Sequence, residues 1–263
     1  MKTGSRIDLT QGNILTNLLK LFMPIFFGML AFTLYLLADL YFVGKLGPDA
    51  VAAIAISGNA FFIHLGLSTI LGTGAMALIA QAFGRRDYDQ AAELFRQSLT
   101  LGLIVGMSAA VIGLIAARPF IDFFGGVGQA LTWGVEYFQI YCISFVFLLL
   151  LYIIGASYRG MGDTRTPFLV LLQANILNII LDPILIFGFG VVPALGVRGA
   201  AIASLLSQLY ALGVYFYLIF IKSFHLSIKG DWRLNPALIK KSLSIGLPSG
   251  LSHFMLALNL IIN

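Results

Sequence analysis

The chain has 263 residues, of which 59% are hydrophobic and 10% charged, with a net charge of +5. Soluble domains carry about 25% charged residues, so this composition excludes an ordinary globule and makes a lipid bilayer the solvent. The basic residues fall in short connections between apolar runs rather than along one face, which argues against a nucleic-acid partner. The single cysteine, Cys142, lies inside an apolar run and excludes disulfide frameworks and cysteine zinc clusters.

In chain order, the apolar runs cover 18–44, 50–82, 98–122, 129–157, 167–190 and 197–221, and a seventh begins near 236. Each is at least as long as the roughly 20 residues needed to cross a hydrocarbon core of about 30 Å. The first is too long for a signal peptide and lacks a small-residue cleavage site, so it reads as a retained helix. The runs are continuous rather than alternating in ten-residue segments, which predicts helices and not barrel strands. The expected fold is all-α: a polytopic membrane protein with a six-helix transmembrane bundle and a partial seventh helix. Its parts are a six-helix lobe over 1–221, an inter-lobe linker over 222–235 and the start of a second lobe over 236–263. The polar stretch 87–97, with Ala91, Ala92, Leu94 and Phe95 spaced along it, is expected to carry the third helix out of the membrane. Gly102 and Gly106, four apart, suit close helix packing. Gly72-Thr-Gly74 has no strand before it and is not read as a nucleotide loop.

The connections alternate in charge. One set holds Lys2, Arg6, Lys20, Arg85, Arg86, Arg96, Arg159, Arg165, Lys222, Lys229, Arg233, Lys240 and Lys241; the opposite set holds only Lys45, Arg118 and Arg198. The positive-inside rule therefore puts the amino terminus and the 222–241 segment in the cytoplasm, in a multi-pass protein of the cell's inner membrane. Residues 16–39 align with 240–263, matching Pro24 to Pro248 and Asn263 to Asp39, as a parallel transporter repeat would. Doubling that repeat implies a complete carrier of roughly 450 residues, with a carboxy-terminal lobe as the partner of this half.

Two acids, Asp39 and Asp182, sit inside apolar spans. A carboxylate there costs about 2.5 to 3.5 kcal/mol on insertion scales, so each is expected to face a cavity or a partner. Asp182 lies eight residues before Gly190, about 12 Å deep at 1.5 Å per residue. Asn178, four residues earlier, shares its face and is expected to set an amide carbonyl beside the carboxylate, two hard oxygens fit for sodium or for stabilising a protonated acid. Pro183 removes a helical donor next to Asp182, and Pro24 does the same in the first span; both are expected to bend their helices. Counting residues from the outer ends brings Tyr137 and Ser204 near the level of Asp182, with Asp39 slightly shallower. These five predict a polar pocket in the outer half of the bundle.

His64 and His253 have no partner at ligand spacing and read as interior residues, while His225 belongs to the linker. No zinc-protease pair, nucleophile elbow or phosphate loop occurs, so the chain is expected not to be an enzyme and to need no cofactor beyond a coupling ion, H+ or Na+.

Five segments, in this order, resemble the multidrug and toxic compound extrusion (MATE) family of secondary transporters: Asp39-Leu-Tyr-Phe-Val-Gly-Lys-Leu-Gly-Pro-Asp-Ala50, Ala80-Gln-Ala-Phe-Gly-Arg-Arg-Asp87, Tyr158-Arg-Gly-Met-Gly-Asp-Thr-Arg-Thr-Pro167, Asn178-Ile-Ile-Leu-Asp-Pro183 and Gly196-Val-Arg-Gly-Ala-Ala-Ile-Ala-Ser204. The resemblance spans essentially the whole chain. It implies one lobe of a twelve-helix carrier that exports amphipathic, often cationic compounds in exchange for sodium ions or protons. It also implies a cation site at Asp39, Tyr137, Asn178, Asp182 and Ser204, with Asp39, Asn178 and Asp182 as the ligands if the ion is sodium. Two rivals are a lipid-linked precursor flippase, which would want cavity cations absent from these spans, and a truncated half that does not transport.

Overall fold

The computed structural model describes residues 14–221 and 226–262, apart from the side chains of 14, 16, 17, 20, 21 and 253–262. Lys2, Arg6, Lys222, His225 and Asn263 lie outside the described residues, as do the side chains of Lys20 and His253. The expected opposition of Asn263 and Asp39 falls there too.

Eight helices follow one another: α1 (Ile14–Gly44), α2 (Pro48–Ser57), α3 (Asn59–Gly84), α4 (Tyr88–Phe123), α5 (Gly128–Gly160), α6 (Arg165–Phe187), α7 (Val197–Ile221) and α8 (Pro236–Ile262). Six segments are long and apolar enough to cross a membrane, α2 and α3 counting as one. Among the described residues the one β pairing is an isolated bridge between Phe189 and Val192, and 226–235 runs without helix ahead of α8. The protein is a multi-pass, all-helical membrane protein.

Most boundaries follow from local chemistry. Gly47 takes φ +107, a conformation glycine adopts without strain, and Pro48 then starts α2 where its missing N–H costs nothing. Asp87 caps α4 by accepting from the Gln90 amide at 3.0 Å, so the third span begins at Tyr88 and continues through the polar stretch as expected. Two boundaries differ from the sequence reading. The second span is not one helix but two, broken at Gly58, whose N–H donates to Ile54 O (2.8 Å) while its carbonyl accepts from Phe61 at three-residue spacing. Ser57-Gly58-Asn59 is a turn signal, but three residues inside a long apolar run barely register in its hydropathy. The fifth span ends at Phe187 rather than 190, because Gly188 at φ +81 leaves the helix.

The long helix α5 lies at the centre, packed on α2, α3, α4 and α7, while α6 joins α1 to α7. Leu149, Ile153, Ile154 and Tyr158 of α5 are fully buried against Ile79 and Phe95. Gly102 and Gly106 bring α4 onto α5: a Cβ on Gly106 would stand 3.2 Å from Val146 Cα. Dispersion contacts at that spacing take over the work of the hydrophobic effect, which is weak between helices in lipid. Pro24 and Pro183 lie within continuous helices.

Candidate functional site

Four helices bring the site together. α1 presents Tyr35 and Asp39 one turn apart, α5 presents Tyr137, α6 presents Asn178 and Asp182, and α7 presents Ser204. Asp182 is fully buried, Asn178 is 1% exposed and Asp39 is 8% exposed. Neither acid points outward to lipid or to bulk solvent.

Asn178 organises the centre. Its amide nitrogen donates to Asp182 Oδ2 at 3.0 Å, and its oxygen accepts from the Ser204 hydroxyl at 3.3 Å and the Ser204 amide at 3.1 Å. The reverse amide orientation would still donate to Ser204 Oγ at 3.3 Å but would set oxygen against oxygen at the carboxylate, so the first orientation is the one its neighbours satisfy. With the Ser204 hydroxyl given to Asn178, the 3.1 Å contact between Tyr35 Oη and Ser204 Oγ is donated by the tyrosine. A directed chain results, from Tyr35 through Ser204 and Asn178 to Asp182. The sequence reading set an amide oxygen beside the carboxylate; the structure turns the nitrogen there instead, because Ser204 supplies the donors that the oxygen needs.

Asp39 and Asp182 interact electrostatically, and Tyr137 interacts with both acids and with Tyr35. Tyr137 also packs beside Val43, Ala50, Ile186 and Val197, where the ends of α1 and α6 meet the starts of α2 and α7. All five residues singled out from sequence therefore share one neighbourhood. Asp39 Oδ1 and Asp182 Oδ1 are buried without a hydrogen-bond partner among the described residues. A buried, unpartnered carboxylate oxygen is costly, and a cation or a proton removes that cost.

Sequence reasoning passed over Tyr35. The available signal was its place four residues before Asp39, on the same face of the same span. Also missed were buried polar atoms deeper in the bundle, among them Asn175 Nδ2, the Tyr141 hydroxyl and Ser144 Oγ, which have no partner among the described residues. His64 is interior as expected, its Nε2 3.1 Å from Ser68 Oγ and its ring edge-on to Phe145 at 4.8 Å. No group of three or more His, Cys, Asp or Glu able to hold a metal occurs among the described residues.

The remaining motif residues build the frame. Gly196, at φ +57, donates to Ile186 O at 3.1 Å, and Gly199 lies so near Leu185 O that any Cβ would collide with it. That approach lays α7 on α6 and delivers Ser204 to Asn178. Asp163 accepts from Thr166 N (2.9 Å) and Thr166 Oγ1 (2.6 Å), closing the α5–α6 turn, where Gly162 takes φ +84. Arg198 and Glu136 pair at 2.9 Å near the start of α7, the one ion pair among the described residues.

The MatE family model matches residues 24–184. The chain is 33% identical over 205 residues to a protein of Shewanella oneidensis named FAD transporter, covering 78% of this chain and 45% of that one. It is 27% identical over 238 residues to the multidrug export protein MepA of Staphylococcus aureus, covering 89% and 51%. Among solved structures, a MOP superfamily transporter from Pyrococcus furiosus superposes with a TM-score of 0.89 at 30% identity, over 99% of this chain and 57% of that one. The chain thus spans about half the length of the curated relatives it matches.

Proposed function

Since this chain belongs to the MATE family of transporters, we propose that it forms the ion-coupling half of a secondary antiporter that exports amphipathic, often cationic compounds in exchange for H+ or Na+. The observation that carries this reading is the pair of buried acids, Asp39 and Asp182, each with an unpartnered oxygen and each within electrostatic reach of the other. Two such groups cannot both stay charged cheaply in a low-dielectric interior, so occupation by a cation or proton and by substrate become mutually dependent.

In this reading Asp39 and Asp182 hold the coupling ion, and Asn178, Ser204 and Tyr35 orient Asp182 through their hydrogen bonds. Tyr137 closes the outer side. A proton neutralises either acid without disturbing the amide, whereas sodium ligation by Asn178 needs its oxygen turned inward, which breaks its bonds from Ser204. Bends near Pro24 and Pro183 would let α1 and α6 change the separation of the acids, and the ion would drive transport only if it bound one arrangement better. The basic end of the bundle lies in the cytoplasm, and a second lobe completes the substrate path.

The test is export from proteoliposomes holding the complete transporter, driven separately by a proton or a sodium gradient, with ethidium as the cationic probe. Loss of gradient-driven export in Asp39→Asn and Asp182→Asn supports the reading; undiminished export in both variants removes it. The similarity to a protein named FAD transporter favours a second substrate class, the flavin nucleotides. Running FAD beside ethidium in the same vesicles separates the two.

A further inference from the structure

Residues 226–235, ahead of α8, are built as a fixed strap. Arg96 and Gln97, neighbours on α4 and 9% and 5% exposed, grip its backbone. Arg96 donates from Nη1 to Ser227 O (3.0 Å) and Lys229 O (2.8 Å), and from Nε to Asp231 O (3.2 Å). Gln97 donates to Arg233 O at 2.5 Å and accepts from Asn235 N at 2.8 Å. A flexible tether leaves its backbone to solvent, whereas here two side chains hold five backbone positions at alternate residues from Ser227 to Asn235.

The rest of the segment fits that hold. Gly230 has φ +131, a conformation that strains any other residue, and a Cβ there would stand 2.9 Å from the Arg96 guanidinium carbon and press on the group that holds the segment. Leu226 is fully buried at one end, and Ile228 and Leu238 pack on the same core. Asn235 accepts from Ala237 N at 3.1 Å and from Ile239 N, through its backbone oxygen, at 3.0 Å, so the residue held by Gln97 also caps α8. The first half of α8 then lies on α3 at backbone contact: a Cβ on Gly246 would collide with Ile70 O, and one on Gly74 with Ser242. Since α3 packs on α4, the contacts close a ring from α4 through Gln97 and Asn235 to α8, then to α3 and back.

We propose that Arg96 and Gln97 are positioning residues for transport, strapping 226–235 to α4 so that the base of α8 moves with α3 and α4 as one body. The junction between the halves of the carrier is then rigid, and relative motion is displaced into the membrane part of α8. The effect on turnover rests on the transport reading above; the strap itself does not.

Trypsin reads the strap directly, because it must draw out the backbone after Lys229 or Arg233, the very carbonyls that Arg96 and Gln97 hold. In the purified complete transporter, Arg96→Ala, Gln97→Ala and Gly230→Val should each be cut there about tenfold or more faster than the wild type, as expected for loss of local protection. In vesicles the same variants should lower kcat severalfold with KM unchanged. Arg96→Lys should not restore the wild-type values, since one ammonium cannot reproduce a fork spread over three carbonyls. Gly230→Val leaves α4 untouched, so it decides the matter if Arg96→Ala fails to fold. Equal cleavage in wild type and variants overturns the strap. Faster cleavage with unchanged kcat overturns its positioning role. A wild type that exports nothing refutes the transport reading, while the cleavage comparison still decides the strap.

Discussion

Asn178 gives its amide nitrogen to Asp182 Oδ2 at 3.0 Å, one helical turn away on α6, and thereby commits its oxygen to Ser204 on α7. The orientation of one amide is thus shared between a buried acid and a neighbouring helix. Whatever alters the charge on Asp182 is felt at the α6–α7 contact, and the converse holds by linkage.

Replacing Ser204 separates the hydroxyl from the side chain's bulk. Ser204→Ala removes the acceptor for the Tyr35 hydroxyl and one of the two donors to the Asn178 oxygen, which keeps the Ser204 amide; the unpaired tyrosine costs about 1 to 3 kcal/mol, so ion-driven export should fall roughly tenfold or more. Ser204→Thr keeps the hydroxyl and should export within about twofold of the wild type in the same vesicle assay.

Tyr35→Phe removes the terminal donor of the chain while preserving the ring. The expected outcome is a higher half-saturating concentration of the coupling ion with little change in substrate KM, read from export at varied sodium or proton gradient. An effect of equal size on both would place Tyr35 in the substrate path instead.

Gly199→Ala drives a methyl group into the Leu185 carbonyl and must push α7 off α6. Overpacking of this kind costs about 1 to 3 kcal/mol, so the melting temperature of the purified protein should drop by several degrees, and export should fall with it as Ser204 recedes from Asn178. The size-matched control Gly213→Ala, where a Cβ meets open space, should change neither.

Asp163→Ala deletes two hydrogen bonds at the α5–α6 turn, far along α6 from the acids. Stability should fall by about 1 kcal/mol, the usual worth of a lost cap, while the ion dependence of export stays as in the wild type. A changed choice of coupling ion would assign this turn more than a structural part.

The architecture was legible because a bilayer leaves few choices: a continuous apolar run of the right length has to be a helix, and six of them leave only their packing to be found. Asp39 and Asp182 stood out by the same logic, since a carboxylate in such a run demands a reason. The Gly58 break was hidden because the short polar string Ser57-Gly58-Asn59 barely lowers the hydropathy of the long run around it. The direction of the Asn178 amide was hidden because it depends on Ser204, 26 residues away, which no local pattern reveals. Tyr35 was overlooked since a tyrosine in a membrane helix is ordinary until a neighbouring helix gives its hydroxyl a partner. Motif strings such as Gly196 to Ser204 marked the family but mixed two kinds of residue, Gly199 shaping the approach of helices and Ser204 serving the site.

The close fit of α8 on α3 bears on how such a protein is made. Gly246 lies against Ile70 O, and Gly74 against Ser242, with no room for a Cβ at either glycine. The earlier helices emerge from the ribosome first, so they act as a mould for the next span as it leaves the insertion machinery. Bulky replacements along that groove would therefore show themselves in newly synthesised chains, as delayed maturation, before they showed in the finished carrier.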